Sequence, residues 1–124
     1  NALRQKDGII RFLDLEYFGW DDPVKLVSDF WWHPGMDLGF ELKSLWISKS
    51  KLIFTRDANF ALRFDAAHPM YGLRWALIVL NSVIKCYNEG TSSCSDDTLR
   101  SQLDKSVRLC KVVDELINQD NDAY

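Results

Sequence analysis

Apolar and polar positions alternate along this chain in blocks whose period changes from strand-like to helical. Lys6-Asp7-Gly8 is a turn signal, and Ile9-Ile10-Arg11-Phe12-Leu13-Asp14-Leu15 after it is a β-branched and aromatic run long enough for one strand. Asn1 to Arg4 supplies its hairpin partner, and Gly19 ends the region. Asp22 followed by Pro23 gives an N-cap and a first-turn proline to a short helix through Val24, Leu26, Val27 and Phe30, ending at about Trp32. His33-Pro34-Gly35 stops that helix, because proline disfavours helical geometry in the residue before it and glycine tolerates left-handed geometry.

Phe40 to Phe54 carries apolar side chains at Phe40, Leu42, Leu45, Trp46, Ile47, Leu52 and Ile53 with lysines at 43, 49 and 51, the pattern of an amphipathic helix. Asp57 caps a further segment through Phe60, Leu62 and Phe64. Pro69 then opens the most hydrophobic element, with Tyr71, Trp75, Ile78 and Val79 on one face and Leu73, Leu77, Leu80 and Ile84 on another, so it belongs in the middle of the fold. His68, just before that start, reads as a surface or capping residue. Glu89 to Ser95 is a polar loop, after which Leu99, Leu103, Val107, Cys110, Val113 and Ile117 keep helical spacing, with Cys110 as a small buried hydrophobe on the stripe.

The order predicts a mainly α fold with a short N-terminal β-hairpin, in one unit over residues 1–124: hairpin and following motif in 1–18, helical part in 19–124. Two strands alone are marginal in water. A ribbon at the head of a helical region therefore reads like the middle of a larger fold cut open.

Composition narrows the function classes. The chain has 124 residues, 18 acidic and 15 basic, with a net charge of −3, which limits it to one domain and argues against a phosphate-tracking surface, since the basic residues are scattered. With 47% hydrophobic and 13% aromatic residues it has material for a core. No apolar run approaches the roughly 20 residues needed to span a bilayer, the longest being Trp75 to Leu80. The start lacks a secretory pattern, and Cys86, Cys94 and Cys110 do not form a paired framework, which points to a reducing, cytoplasmic setting.

The informative stretch is Phe12-Leu13-Asp14-Leu15-Glu16-Tyr17-Phe18-Gly19-Trp20-Asp21-Asp22-Pro23. It resembles the aminoglycoside phosphotransferase and choline kinase family, in which a strand ends in a pattern like I-D-F-E and is followed by a spacer, G-x-x-D-P and a helix. The resemblance implies the helical C-terminal lobe of a protein-kinase-like fold, with Asp14 as the counterpart of the magnesium-binding aspartate. Upstream, Asn1-Ala2-Leu3 falls where the catalytic loop H-x-D-x-x-x-x-N would end, so Asn1 is either the second metal ligand or a remnant of a cleaved tag. Downstream, Leu73-Arg74-Trp75-Ala76-Leu77-Ile78-Val79-Leu80-Asn81 is similar to the family's late helix.

The departures matter as much. The nucleotide lobe, its lysine and the catalytic-loop aspartate have no counterpart here, and no other phosphate cradle replaces them, so no catalytic residue is assigned. Lys25 stands where relatives carry an acidic residue, which puts part of the usual capping network in doubt. Glu16, Trp20 and Trp32 are candidates for the substrate pocket, against a salt-bridge role for Glu16 and core packing for the Trp31-Trp32-His33 cluster. Asp22 reads as an N-cap rather than a reacting group.

On the resemblance, the parent enzyme transfers the γ-phosphoryl group of ATP, with Mg²⁺, to a hydroxyl of an aminoglycoside, choline or sugar. This chain alone is expected to be inactive, and to associate through the surface that the absent nucleotide lobe would cover. The competing reading is a small helical interaction module in which the same residues serve only turns and caps.

Overall fold

The computed structural model describes residues 2–13, 19–36, 38–89 and 95–121. Two short strands, β1 (Ala2–Arg4) and β2 (Ile10–Phe12), pair antiparallel with Ala2 opposite Phe12, Leu3 opposite Arg11 and Arg4 opposite Ile10. The turn between them closes as its residues dictate. Gly8 takes a positive φ of 87° that a side chain would resist, and the Asp7 carboxylate accepts the Ile9 N–H at 3.0 Å. Among the described residues the pairing covers Ile10 to Phe12 of the predicted run, with Ala2 opposite Phe12. Every strand residue is exposed on this ribbon.

Four helices follow: α1 (Pro23–Trp32), α2 (Phe40–Ile53), α3 (Phe60–Glu89) and α4 (Asp96–Asn121). The mainly helical class with an N-terminal hairpin is thus as expected, and so are the limits of α1 and α2. Asp22 caps α1 by accepting the Val24 N–H at 2.9 Å, with Pro23 in the first turn. Ser95 caps α4, its hydroxyl accepting the Thr98 N–H at 3.2 Å.

Three expectations are overturned. The segments placed on either side of Pro69 are one 30-residue helix, α3. Pro69 removes only its own bond to the Asp65 carbonyl, while Phe60 and Phe64 before it and Gly72 after it are held in the core. His68 is consequently a buried mid-helix residue, not a surface cap. The inward stripe of α4 lies one residue away from the predicted one. It runs through Leu99, Gln102, Ser106, Leu109, Val113 and Leu116, while Leu103, Val107 and Ile117 face outward and Cys110 is an exposed free thiol. The cause is Ser106, which is small enough to lie against α3 and donates its hydroxyl proton to the Ala76 carbonyl at 3.0 Å. Finally, Cys86 is disulfide-bonded, although the three cysteines were not expected to form a paired framework.

The core forms where α1 crosses α3. Val24, Val27, Phe60 and Phe64 are buried together, with Trp46, Ile47, Phe54, Ala67 and Tyr71 packed around them. A second buried group, Trp32, Ala76, Val79 and Val113, joins α1, α3 and α4. At its centre sits Gly72, where an added Cβ would lie 2.5 Å from Val113 Cγ2 and 2.6 Å from Trp32 Cζ2. α2 is less committed than its pattern implied. It turns Trp46, Ile47 and Ser50 inward, while Phe40, Leu42, Leu45, Leu52 and Ile53 remain exposed. Among the described residues no helix is long and apolar enough to cross a membrane.

Two measurements check this arrangement. Gly72→Ala should destabilise the fold by about 1 to 3 kcal/mol through overpacking, even though alanine gains about 1 kcal/mol of helix propensity over glycine. A urea midpoint at or above that of the parent chain would contradict the close approach. Alkylation of the native chain should label one thiol before reduction and three afterwards, read by intact mass; three labels without reduction would remove the Cys86 disulfide.

Candidate functional site

Asp14 and Asn1, the predicted metal ligands, and Glu16, a predicted pocket residue, lie outside the described residues. The residues that follow them are described, and they rim a cleft of about 530 Å³. Gly19 and Trp20 form its lip, Asp21, Asp22 and Asp29 its polar wall, and Phe54 its apolar end. Trp20 stands fully exposed there. Trp32 is elsewhere: it is 2% exposed in the core, and its indole N–H donates to the His68 carbonyl at 2.8 Å. Its position is the core-packing alternative for the tryptophan cluster.

The cleft wall is built by charge pairing. The Arg63 guanidinium on α3 binds both carboxylate oxygens of Asp57, at 3.1 and 2.8 Å, and also Asp22 Oδ1 at 3.1 Å. Asp22 therefore caps α1 and ties its first turn to α3 with one carboxylate. The Arg63 hydrogen bond holds both Asp57 and Asp22 below the usual carboxylate range, and the two carboxylates push the guanidinium pKa up. Lys25 forms a bridge of its own, reaching Asp21 at 2.8 Å and Asp29 at 3.7 Å. The Asp21 bond raises the Lys25 pKa, and Lys25 lowers that of Asp21.

Asp29 also accepts from Arg74 Nη1 at 2.6 Å and from the Trp75 indole N–H at 3.0 Å. Each carboxylate of the wall thus already faces a cation. These exposed pairs contribute little stability singly, and their effect is geometric: they fix the start of α1, and with it the cleft, against α3. Among the described residues no three His, Cys, Asp or Glu side chains are grouped to hold a metal ion.

A second polar feature lies deeper. His68 packs among Phe64, Trp31 and Trp32, with ring centroids 4.6, 4.9 and 5.3 Å away. Its Nδ1 lies 3.1 Å from the buried Ser28 hydroxyl, while its Nε2 is buried with no hydrogen-bond partner. Leaving such an atom unpaired costs about 1 to 3 kcal/mol. Burial pushes the imidazole pKa down from 6.5 to about 4, so the ring is neutral in the folded chain at pH 7.

The sequence carried a signal for this feature. Phe60, Phe64, His68, Gly72 and Ala76 recur every four residues and are all buried, and Val24, Ser28 and Trp32 do the same on α1. Reading Pro69 as a helix start cut the first series in two. Arg63 lies six residues after Asp57, but its link to Asp22, 41 residues away, is made only by the fold.

Comparison of the chain with protein-family profiles, with characterised proteins and with solved structures finds no match.

The depressed His68 pKa makes stability depend on pH in a defined window. Between pH 6.5 and about 4 the unfolded chain binds a proton that the folded chain refuses, so stability rises with pH there and falls on acidification. Unfolding by urea should show a loss of about 2 kcal/mol between pH 7 and pH 5. His68→Gln should flatten that slope; an unchanged slope in the variant would assign it to another group.

Proposed function

We propose that this chain is the helical lobe of a small-molecule kinase, and that the complete enzyme transfers the γ-phosphoryl group of ATP to a hydroxyl acceptor. The observation that carries the reading is the uncovered hairpin. Its second strand runs directly towards Asp14-Leu15-Glu16, both of its faces are exposed, and Leu3, Ile10 and Phe12 project from it into solvent. A ribbon this short needs a cover. In the proposed enzyme the nucleotide lobe provides it.

In that enzyme Asp14, with Asn1 where it is native, would hold Mg²⁺, which neutralises phosphate charge during transfer. The described residues position the surroundings. Asp22, Arg63 and Asp57 fix the start of α1, and the lip of Gly19 and Trp20 beside the motif offers an exposed indole face to an acceptor. The reading assigns the protein to the cytoplasm, where ATP is abundant. The Cys86 disulfide weighs against a reducing compartment, so thiol counting in protein taken directly from cells bears on that assignment.

A second reading, a helical interaction module without catalysis, is favoured by one feature of α3. Met70, Leu73, Leu77 and Ile84 are exposed along one side at the spacing of a helix-packing seam.

The deciding experiment is to read the gene upstream of the Asn1 codon and express the whole reading frame. A preceding H-x-D-x-x-x-x segment and ATP-dependent phosphorylation of a hydroxyl compound, lost by at least about a hundredfold in Asp14→Ala, are the expected results. An Asp14→Ala protein with near-normal transfer would end the metal assignment. A short reading frame yielding a compact, inactive monomer would favour the module.

A further inference from the structure

A second cleft, of about 490 Å³, lies at the end of α1 away from Asp22, lined by residues of the His33-Pro34 turn, the start of α2 and α4. Its charged residues are Lys43 from α2 and Lys105 and Arg108 from α4, with no carboxylate among the described residues of its wall. Lys105 and Arg108 are three residues apart, so both project from one side of α4, and both side chains are exposed. The ion pairs among the described residues take up Lys25, Lys51, Arg63 and Arg74, and neither Lys105 nor Arg108 belongs to one. Asp104, one turn before Arg108, lines no part of the cleft. Lys43 is held with its amine 4.0 Å from the centre of the Trp31 ring, a contact that steadies an ammonium without neutralising it. Three positive side chains are thus gathered at one cleft of a chain whose net charge is −3, and their mutual repulsion is relieved by no carboxylate of the described wall.

From this arrangement we infer that the cleft binds a small phosphate monoester, with Lys105 and Arg108 bonding the phosphate oxygens, Lys43 adding charge from α2, and Leu38, Pro34 and Leu109 receiving the organic part. A guanidinium forks onto two phosphate oxygens and an ammonium bonds the same group as a point charge. A phosphate monoester is mostly a dianion at pH 7, so it offsets more of the gathered charge than a carboxylate does. His33, on the same wall, does not oppose an anion: its Nδ1 accepts the Gly35 N–H at 3.0 Å, so the neutral ring carries its proton on Nε2 and has no acceptor lone pair left over. A single cleft in place of a track of cations selects a small molecule over a nucleic acid. The cleft shares no residue with the one beside Trp20, and α1, ten residues and therefore roughly 15 Å long, separates the two. The site stands whether or not the kinase reading does.

Phenyl phosphate and phenol are probes that differ by the phosphate alone. Titrated into the full chain at pH 7 and constant ionic strength, and followed by ¹H–¹⁵N spectra, phenyl phosphate should shift the Arg108 side-chain Nε–H resonance and bind at least about tenfold more tightly than phenol. Arg108→Gln and Lys105→Gln should each weaken that binding by about tenfold. Lys111→Gln removes the same charge from α4 at a position outside the cleft, and it should leave the affinity within about twofold. Both substituted cleft side chains are exposed, so the fold is kept, and the Arg108 shift in the unsubstituted chain is a readout that needs no variant. Equal affinity for the two probes, an Arg108 resonance that does not move, or an equal loss in Lys111→Gln would each overturn the site, the last by reducing the binding to general attraction between an anion and a helix.

Discussion

The fold depends on the meeting of Trp32 with α3 at Gly72. An indole is too large to lie against a helix backbone unless the facing residue lacks a side chain, and Gly72 provides that notch with Val113 of α4 on its other side. Three helices therefore share one point of contact. The indole N–H bonded to the His68 carbonyl fixes the register of α1 on α3, so that Ser28 meets His68 one turn earlier. Rows spaced by four residues, Val24-Ser28-Trp32 on one helix and Phe60-Phe64-His68-Gly72-Ala76 on the other, are the ridges that helix packing uses.

Two further tryptophans extend the same device. Trp46 of α2 donates to the Val27 carbonyl at 2.9 Å and lies 4.3 Å from the Phe30 ring, and Trp75 of α3 donates to Asp29. Each couples a large apolar surface to one directed hydrogen bond, which is the property that sets tryptophan apart from phenylalanine in a core. All three bonds involve α1. A ten-residue helix is marginal by itself, and here its position is specified by its neighbours at both ends: Arg63 at Asp22, and the indoles further along. The cleft lined by Gly19 and Trp20 inherits that order, because its polar wall is made by the residues that open α1 and by Asp29 within it.

The legible parts of the sequence were those governed by local chemistry. Asp22-Pro23 marked the start of α1, Lys6-Asp7-Gly8 the hairpin turn and His33-Pro34-Gly35 the end of α1, because caps and turns are decided within a few residues. One cause of failure is polar or small residues on buried faces. Ser106 displaced the inward stripe of α4 by one position, since hydrophobicity alone selects Leu103 and Val107 over a serine that can bury its hydroxyl against a carbonyl. Pro69 carried a strong local signal for a boundary, and tertiary anchoring on both sides overrode it. Of the candidate site, the sequence marked the stretch around Asp14 and Asp22 but not Arg63, which lies 41 residues from the carboxylate it binds.

The same comparison bears on why so much apolar surface remains uncovered. Beside the buried Phe60, Phe64, Val79 and Val113, the inward faces of α3 and α4 also carry small or polar residues, Gly72, Ala76 and Ser106, while Leu73, Leu77, Leu103 and Val107 are exposed. Burial of each larger apolar residue would be worth about 1.5 to 3 kcal/mol, so their exposure has a packing reason. Small residues inside let the helices approach closely, and close approach leaves little room for large side chains between them. The large ones are left facing out at helical spacing on α3 and α4, and exposed on the paired strands β1 and β2. Scattered single hydrophobes on a surface need no explanation, but periodic rows do. Here the rows lie along α3 and α4, and the hairpin adds Leu3, Ile10 and Phe12 to the exposed apolar surface.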